Sequence, residues 1–379
     1  MKVKSAQLKL IENHNEDELK YYVAFSHMLN LRPIIKTKLL EYFDYDVKKA
    51  YNVTKDEMAE VCSYYEIPAS NSFFKMRSEI NIDECYSVAL SDENMGIITP
   101  KDDNYPPLLR ETPDYPISLY YKGSFEGIDL DRNVAIVGSR LASESAKLSL
   151  NSIVSGLKNT NLTVVSGMAA GIDTQAHLSA IENNLKTIAV VGSGLDIVYP
   201  SQNKKLFNDI TNNFGVVLSE YPLKTRPMAQ NFPQRNRIVV GMSKGTLVAE
   251  AKHKSGAMIS ANLTLDYNRE LMCIPGNILN PNTSGIYELI KNGAGIVVNA
   301  KDLLNQLGWD IIVEESQKFD IVLNDIQKKV LKALELDSKT FDEIANVLNT
   351  DVSKIMVTLT ELELNGLIKQ SNNKYYKCV

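Results

Sequence analysis

The stretch NVAIVGSRLASESAKLSLNSIVSGLKNTNLTVVSGMAAGIDTQAHLSAIENNLKTIAVVGSGLDIVYP, residues 133–200, decides the fold. It contains three short apolar runs, each followed by a glycine-containing turn: 134–137, 162–165 and 187–191. Short apolar strands that alternate with helical stretches predict a parallel sheet covered on both faces. In such a sheet the turns lie at the carboxyl ends of the strands, where α/β folds bind ligands. Helix N-termini that follow these turns favour anions, and phosphate in particular.

The same alternation continues toward residue 300. Further strands are predicted at 216–218, 246–249, 271–274 and 296–298. Helices are predicted at 143–158, 173–184, 202–213, 235–242, 257–268 and 285–292. The sequence therefore predicts one large α/β domain in the middle of the chain.

The two ends of the chain follow other patterns. Residues 17–95 place apolar residues at i, i+3 and i+4 and are predicted to form several short helices. A proline-rich passage with one strand, Ile117–Tyr121, leads into the α/β domain. Near the C-terminus, Thr340–Leu348 and Val352–Asn365 predict a helix-turn-helix. The segment Leu367–Lys377, turning at Asn372 and Asn373, predicts the wing of a winged helix.

The charge of the chain is unevenly distributed. The 379 residues carry a net charge of −5. Residues 1–129 contain 15 Lys and Arg against 22 Asp and Glu, residues 130–312 contain 17 against 13, and residues 316–379 contain 9 of each. The segment with the glycine turns is thus the only basic part of the chain. This asymmetry is compatible with an anionic partner at those turns.

Several functional classes are disfavoured. The four cysteines and four histidines are scattered, so neither a disulfide framework nor a metal site is predicted. No apolar stretch reaches membrane-spanning length and no signal peptide is recognisable, so we expect a cytoplasmic protein without a membrane segment. Neither GxGxxG nor GxxxxGK[ST] occurs, so dinucleotide and P-loop ATP binding are disfavoured and no cofactor is expected.

The first two turns offer candidate ligand-binding residues. Arg140 follows Gly138 and Ser139, and its guanidinium would bind a phosphate that the turn's backbone amides also contact. The alternative is a surface arginine at a helix start, which the helix dipole disfavours without an anion, so we favour phosphate binding. In the second turn, Gly167 and Gly171 would bring the backbone close to the same ligand.

The second turn also permits a hydrolase interpretation. Ser166 would act as a nucleophile with His177 and Asp173, which lie four residues apart on the following helix. No GxSxG nucleophile elbow is present, and the spacing of Asp173 and His177 is common. We therefore favour structural roles for Asp173 and His177.

Two later segments add arginines, lysines and an aromatic ring. FPQRNR at 232–237 places Arg235 and Asn236 after Phe232, a combination suited to single strands because phosphates pair with charge and bases stack on rings. The alternative is that Phe232 packs in the core while the arginines pair with Glu220 or Glu250, and composition does not choose between them. Lys252 and Lys254 form a basic loop suited to phosphate. Glu250 is predicted to orient arginines, with a general-base role left open.

Together these motifs resemble the DNA-processing protein A (DprA/Smf) family. VGSR, SGMAAGIDTQAH, GLDIVYP, SEYP, FPQRNRIVVG, EAKHKSGAMISA, IPGN and GIYELIKNGA occur in the family's order over residues 95–305. The resemblance implies an extended Rossmann-like domain at 96–312. It also implies a helical domain at 1–95, similar to sterile-alpha-motif or helix-hairpin-helix domains, and a winged helix at 316–379.

The resemblance also implies a function. The family binds single-stranded DNA without catalysing a reaction, forms homodimers, contacts the recombinase RecA and loads it during natural transformation and recombination. Carried over by motif, the phosphate pocket and base-facing edge would comprise Gly138, Ser139, Arg140, Ser166, Gly167, Gly171, Phe232, Arg235, Asn236, Lys252 and Lys254. No catalytic residue is expected. Ala229 stands where some relatives are basic, which would place more of the affinity on Arg140, Arg235 and the 252–254 loop.

Two other functions remain as alternatives. SKGTLVAEA partly resembles a turn of Rossmann-like phosphoribohydrolases, which would make the chain a nucleotide-processing hydrolase dependent on Glu250. A winged-helix regulator that senses a nucleotide is the second alternative. The C-terminal segment has no net positive charge, so we expect its winged helix to contact protein rather than DNA.

Overall fold

The computed structural model describes residues 15–68, 72–309 and 323–377, apart from Leu336, Asn349, Asn365, Gly366 and Asn372. The predicted domain junction at 313–315 and the first residue of the predicted wing turn, Asn372, lie outside the described residues. None of the helices in the described ranges combines the length and apolar composition needed to cross a bilayer.

Within residues 15–68 and 72–94, the described N-terminal residues form six short helices. They are α1 (Glu16–Ser26), α2 (Pro33–Tyr42), α3 (Val47–Tyr51), α4 (Lys55–Tyr64), α5 (Ser72–Glu79) and α6 (Ile82–Ala89). Side-chain caps define several starts: Thr54 and Glu57 form a reciprocal capping box at α4. An aromatic-rich core that includes Tyr22, Phe25 and Phe73 holds these helices together.

A nine-stranded sheet forms the centre of the molecule. Its strands are β1 (Met95–Ile98), β2 (Leu119–Gly123), β3 (Asn133–Gly138), β4 (Thr163–Ser166), β5 (Lys186–Val191), β6 (Gly215–Ser219), β7 (Gly245–Glu250), β8 (Glu270–Cys273) and β9 (Gly295–Ile296). They lie in the order β1-β2-β6-β5-β4-β3-β7-β8-β9. The seven strands from β6 to β9 in this order pair in parallel, as predicted. At one edge the sheet is extended by β1 and β2, which pair antiparallel to each other and to β6.

Helices cover both faces of this sheet. They are α7 (Pro107–Arg110), α8 (Glu144–Ser155), α9 (Ile172–Glu182), α10 (Lys204–Asp209), α11 (Asn231–Gly241), α12 (Gly256–Asp266), α13 (Ser284–Lys291) and α14 (Ala300–Gln306). Separate hydrophobic clusters form on the two sides, one containing Val134 and Ile136 and the other Ala135 and Val137. The alternation along β3 thus buries both faces of the strand, which explains its uninterrupted apolar sequence.

The C-terminal part forms a winged helix. Helices α15 (Asp325–Ala333), α16 (Phe341–Leu348) and α17 (Val352–Leu364) precede the wing strands β11 (Ile368–Ser371) and β12 (Lys374–Lys377). A short strand that the sequence analysis missed, β10 (Lys339–Thr340), pairs with β12. The order of elements confirms the predicted winged-helix class.

Candidate single-strand interface

An open cavity of about 470 Å³ lies at the carboxyl ends of the central strands. Its walls come from the turn after β3, the start of α9, the start of α11 and the loop that leads into α12. Seven of the predicted site residues line this cavity: Gly138, Ser139, Arg140, Phe232, Arg235, Asn236 and Lys252. The turns therefore do converge, because parallel strands bring their carboxyl ends to one edge of the sheet.

Arg140 and Phe232 form the wall between this cavity and a smaller depression. The guanidinium carbon of Arg140 lies 5.1 Å from the centre of the Phe232 ring, a cation–π arrangement. Arg140 is exposed and Phe232 half-buried. No carboxylate among the described residues forms an ion pair with Arg140. Its charge is therefore available to an anion beside an aromatic face.

The smaller depression contains an aromatic residue that the sequence analysis missed. Tyr199 lines it together with Pro200, Pro227 and Phe232, and the Tyr199 and Phe232 rings are 5.6 Å apart, tilted by 40°. Tyr199 is 48% exposed. The signal was present in GLDIVYP, where a tyrosine follows directly on a turn at the same sheet edge as Phe232. A second ring beside the first extends the surface on which bases can stack.

The turn after β3 uses some of its backbone groups internally. The Ser139 amide donates to the Glu250 carbonyl at 2.8 Å, and the Ser139 hydroxyl accepts from the Leu141 amide at 3.2 Å. The bond to Glu250 continues the pairing of β3 with β7 past a register shift at Val137 and Gly138, and the second bond closes the turn. The Ser139 amide is therefore already paired within the fold, while Ser139 itself lines the cavity.

Gly167 and Gly171 permit close packing of the turns against one another. A β-carbon at Gly167 would overlap the Arg235 guanidinium, and one at Gly171 would overlap the Ser139 and Arg140 carbonyl groups. Gly171 also has a φ of +83°, which favours glycine. Neither glycine lines the large cavity, although Gly167 lines the smaller depression. Both glycines thus affect the ligand surface chiefly by leaving room for the residues that pack against them.

Arg235, predicted to belong to the base-facing edge of the site, lines the cavity but is almost entirely buried. It is 3% exposed, and its Nη1 donates to the carbonyl oxygens of Gly167 and Val190. Burial lowers the pKa of Arg235, while the nearby Asp173 carboxylate opposes that shift. Its Nε donates to Asn236 Oδ1 at 3.2 Å, which fixes the amide of Asn236 at the cavity. Arg235 therefore ties α11 to the ends of β4 and β5.

The triad of the alternative hydrolase interpretation does not form. Ser166 is fully buried and donates to the Ile136 carbonyl at 2.6 Å, so the prediction that it contacts a ligand is wrong. His177 Nδ1 lies 2.7 Å from Thr187 Oγ1, and burial lowers the pKa of His177 to about 3. Burial raises the pKa of Asp173, whose carboxylate accepts from the Ala169 amide at 3.3 Å. These contacts favour the structural roles expected for Asp173 and His177.

Glu250 does not orient arginines. It is fully buried, and its carboxylate accepts from the Ser143 amide at 3.0 Å, the Ser143 hydroxyl at 2.7 Å and the Asn280 amide at 3.1 Å. The predicted interaction with an arginine is therefore wrong, because two loops close over the end of β7 and supply neutral donors. Glu250 lies outside the lining of the cavity, which gives no support to a general-base role.

The loop before α12 contributes charge and free donors. Lys252 and Lys254 are exposed, but Lys252 lines the cavity and Lys254 lies outside its lining. No side chain caps α12, and its first residues, Gly256 and Ala257, line the cavity. Uncapped amides at a helix N-terminus favour anions. Among the described residues, no cluster of His, Cys, Asp and Glu could hold a metal ion.

Comparison with protein families gives two matches. Residues 96–308 match the family described as DNA recombination-mediator protein A. Residues 320–373 match the DprA winged helix domain. The first match alone covers more than half of the chain.

Individual relatives agree with these matches. Protein Smf of Synechocystis is 30% identical over 95% of this chain and 98% of its own length. DNA processing protein DprA of Streptococcus pneumoniae is 43% identical over 54% of this chain and 71% of its own. An X-ray structure of the Streptococcus pneumoniae protein superposes with a TM-score of 0.65 and 34% identity, covering 76% of this chain and 97% of that one.

A second solved structure is DNA processing protein A from Helicobacter pylori, described as giving insight into its unique single-stranded DNA binding mode. It is 30% identical and superposes with a TM-score of 0.51, covering 56% of this chain and 95% of that one.

Proposed function

Because the chain belongs to the DNA recombination-mediator protein A family, we propose that it is a non-enzymatic single-stranded DNA-binding protein. In this role it protects incoming DNA and loads RecA during natural transformation and recombination. The Helicobacter pylori relative, described by its mode of binding single-stranded DNA, supports the choice of ligand. The RecA contact, the homodimer and the boundaries at residues 95 and 312 are part of the same proposal and rest on the family.

The observation that carries the proposal is the exposed Arg140 guanidinium over the Phe232 ring, between two adjoining depressions. A polynucleotide alternates charged phosphates with flat bases. A surface that binds it without sequence preference needs a cation and a ring side by side. Arg140 supplies the cation, and Phe232 and Tyr199 supply the rings. A small metabolite would instead require an enclosed site with a few convergent polar groups.

The large cavity continues this surface on its other side. Lys252 and the N-terminal amides of α12 provide a second place for a phosphate, while Asn236 provides a neutral hydrogen-bonding group between them. A single DNA strand that crosses from Lys252 to Tyr199 would therefore meet phosphate-binding groups first. It would then meet Arg140 and the rings of Phe232 and Tyr199. None of these contacts distinguishes one base from another, which fits a protein that must accept DNA of any sequence.

A salt titration of oligonucleotide binding tests the proposal. We expect wild-type protein to bind homopolymeric single strands more tightly than the matched duplex, with an affinity that falls steeply as salt increases. Arg140→Ala should weaken binding to different homopolymers to a similar degree and reduce the slope of log K against log salt by about 0.7.

Arg132→Ala is the matched control, because Arg132 is a partly exposed arginine at the opposite end of β3 that pairs with Asp129. It should bind like wild type. Wild-type affinity for single strands no better than for the duplex, or an Arg140→Ala variant indistinguishable from Arg132→Ala, would contradict the proposal.

A further inference from the structure

The three most exposed large apolar side chains of the described residues lie at the rim of the cavity. Leu141 is 82% exposed, Ile278 76% and Leu279 84%. Leu141 lies in the turn after β3, at 139–143, and lines the cavity. The other two lie in the loop after β8, at 275–283. Single exposed apolar residues are ordinary, but a group of them marks a binding surface, and we call these three residues the apolar patch.

Hydrogen bonds hold the two loops of the apolar patch side by side. Asn282 Nδ2 donates to the Leu141 carbonyl at 3.3 Å. The buried Glu250 carboxylate accepts from the Ser143 hydroxyl in one loop at 2.7 Å and from Asn280 Nδ2 in the other at 3.1 Å. The backbone of Leu141 therefore lies against the loop that carries the other two members of the apolar patch.

The loop at 275–283 has a defined internal structure. The Thr283 hydroxyl donates to the carbonyl oxygens of Asn277 and Asn280, at 2.8 and 2.7 Å. The Leu279 amide donates to Asn277 Oδ1 at 2.9 Å. The exposure of the apolar patch is therefore built into the fold of this loop.

The apolar patch adjoins the cations of the cavity. Leu141 directly follows Arg140, and neither of the two loops contains Asp or Glu. The His253 amide donates to Ser284 Oγ at 3.1 Å, which places the loop with Lys252 beside the end of the loop at 275–283. A polyanion that binds Arg140 and Lys252 would thus pass an uncharged apolar surface.

The bases of a single DNA strand are the occupant that fits this combination. A strand whose phosphates bind Arg140 and Lys252 must place its bases close by, and unpaired bases have apolar faces to bury. A duplex keeps its bases paired and stacked, so that a protein reaches only its phosphates, sugars and groove edges. An apolar surface beside phosphate-binding groups therefore favours single strands over duplexes.

We propose that Leu141, Ile278 and Leu279 pack against unpaired bases and determine the preference of this site for single-stranded over double-stranded DNA. The inference rests on the proposed function. It adds a base-contacting surface that is separate from the rings of Phe232 and Tyr199.

The variant Leu279→Ser removes the most exposed member of the apolar patch. We expect its affinity for an oligothymidylate to fall about threefold to tenfold, because the partial burial of a leucine against bases is lost. Its affinities for an abasic strand of the same length and for a duplex should equal those of wild type, because neither ligand presents an unpaired base. Leu141→Ser should behave in the same way.

Two further measurements separate base contact from other roles of Leu279. The melting temperature of Leu279→Ser should equal that of wild type, since the side chain is exposed. The slope of log K against log salt should also be unchanged, because no phosphate contact is lost. Arg140→Ala, by contrast, should weaken binding to the abasic strand as well as to the oligothymidylate.

Leu265→Ser is the matched control, because it makes the same substitution at another exposed leucine. Leu265 lies near the C-terminal end of α12, whose N-terminal end lines the cavity. The control should bind the oligothymidylate, the abasic strand and the duplex like wild type.

Equal affinities of Leu279→Ser and Leu265→Ser for the oligothymidylate would overturn the inference and leave the proposed function intact. An equally large loss on the abasic strand would give Leu279 a role in the shape of the loop and would also overturn it. So would a smaller molar mass of Leu279→Ser than of wild type in light scattering, since the apolar patch would then contact a second copy of the chain. If wild-type protein does not prefer single strands to duplex, the proposed function fails, and this inference fails with it.

Discussion

The sheet-edge cavity and the winged helix both have a topology that other proteins use for nucleic acids, but they expose opposite chemistry. At the cavity the exposed side chains include Arg140 and Lys252, and the exposed Lys254 belongs to the same loop as Lys252. On the winged helix the exposed large side chains include Val347, Val352, Met356 and Val357, and α17 carries one lysine against two glutamates. Electrostatic attraction supplies nearly all non-specific affinity for DNA.

Topology alone therefore does not assign a nucleic-acid site. A helix-turn-helix reads DNA only when its second helix presents donors and cations to bases and phosphates. Here that helix presents apolar side chains, as protein-binding surfaces do. We therefore propose that DNA binds at the sheet edge and that the winged helix contacts a protein.

Gly171→Ala should have the largest effect, because it would disrupt the cavity itself. The new β-carbon would overlap the backbone of Ser139 and Arg140 at a φ of +83°. We expect a loss of about 3 kcal/mol of stability from the strained backbone and the forced shift of the turn. Urea unfolding measures the loss of stability, and oligonucleotide binding measures the effect on the cavity.

Gly256→Ala provides the control for this change, since a β-carbon there meets no atom within 4 Å. It should unfold like wild type. A Gly171→Ala variant as stable as Gly256→Ala would show that the turn at Gly171 does not pack tightly against Ser139 and Arg140.

Phe232→Ala should have the next largest effect. Removing the ring deletes one stacking surface, worth about 1–3 kcal/mol per base, or roughly fivefold to 150-fold in affinity. The slope of affinity against salt should not change, because no phosphate contact is lost. Phe232→Tyr, which keeps the ring, should retain most of the affinity. A change in slope with Phe232→Ala would mean that Arg140 needs the ring to hold its position.

The sequence predicted the central strands closely, for a physical reason. Buried parallel strands are apolar on both faces and end in glycine turns, so the predicted 187–191 and 246–249 correspond to Lys186–Val191 and Gly245–Glu250. The sequence analysis missed Met95–Ile98 and Lys339–Thr340, because each forms only by pairing with a distant strand. The predicted helix at 202–213 is divided into a 3₁₀ turn, α10 and a π-helical turn at Ile210–Phe214.

The candidate site was harder to predict than the fold. The turns that the motifs named do meet at one cavity, where the exposed Arg140 lies beside Phe232. Sequence could not distinguish Arg235, which is buried under the site, from Arg140, which lies on it, because burial depends on how α11 packs.

Removing two lysines from each region compares the two regions directly, because both double variants lose the same charge. The double variant Lys252→Ala/Lys254→Ala should lower the salt slope by about 1.4 if both side chains contact phosphates, with a loss of affinity at low salt. Lys328→Ala/Lys329→Ala removes the same charge from exposed positions of α15 and should leave binding unchanged. Equal losses from the two pairs would indicate attraction by net charge rather than by a local site.

The smallest effect should come from the apolar face of the winged helix. Val352→Ser/Met356→Ser changes two exposed side chains one turn apart on α17, so its free energy of unfolding should stay within about 0.5 kcal/mol of wild type. Fluorescence anisotropy should give an affinity for single strands within about twofold of wild type, since surface substitutions away from a binding site change free energies little. A tenfold loss would place DNA on the winged helix and remove the distinction between the two regions. An unchanged affinity leaves α17 as the surface on which a protein partner should be sought.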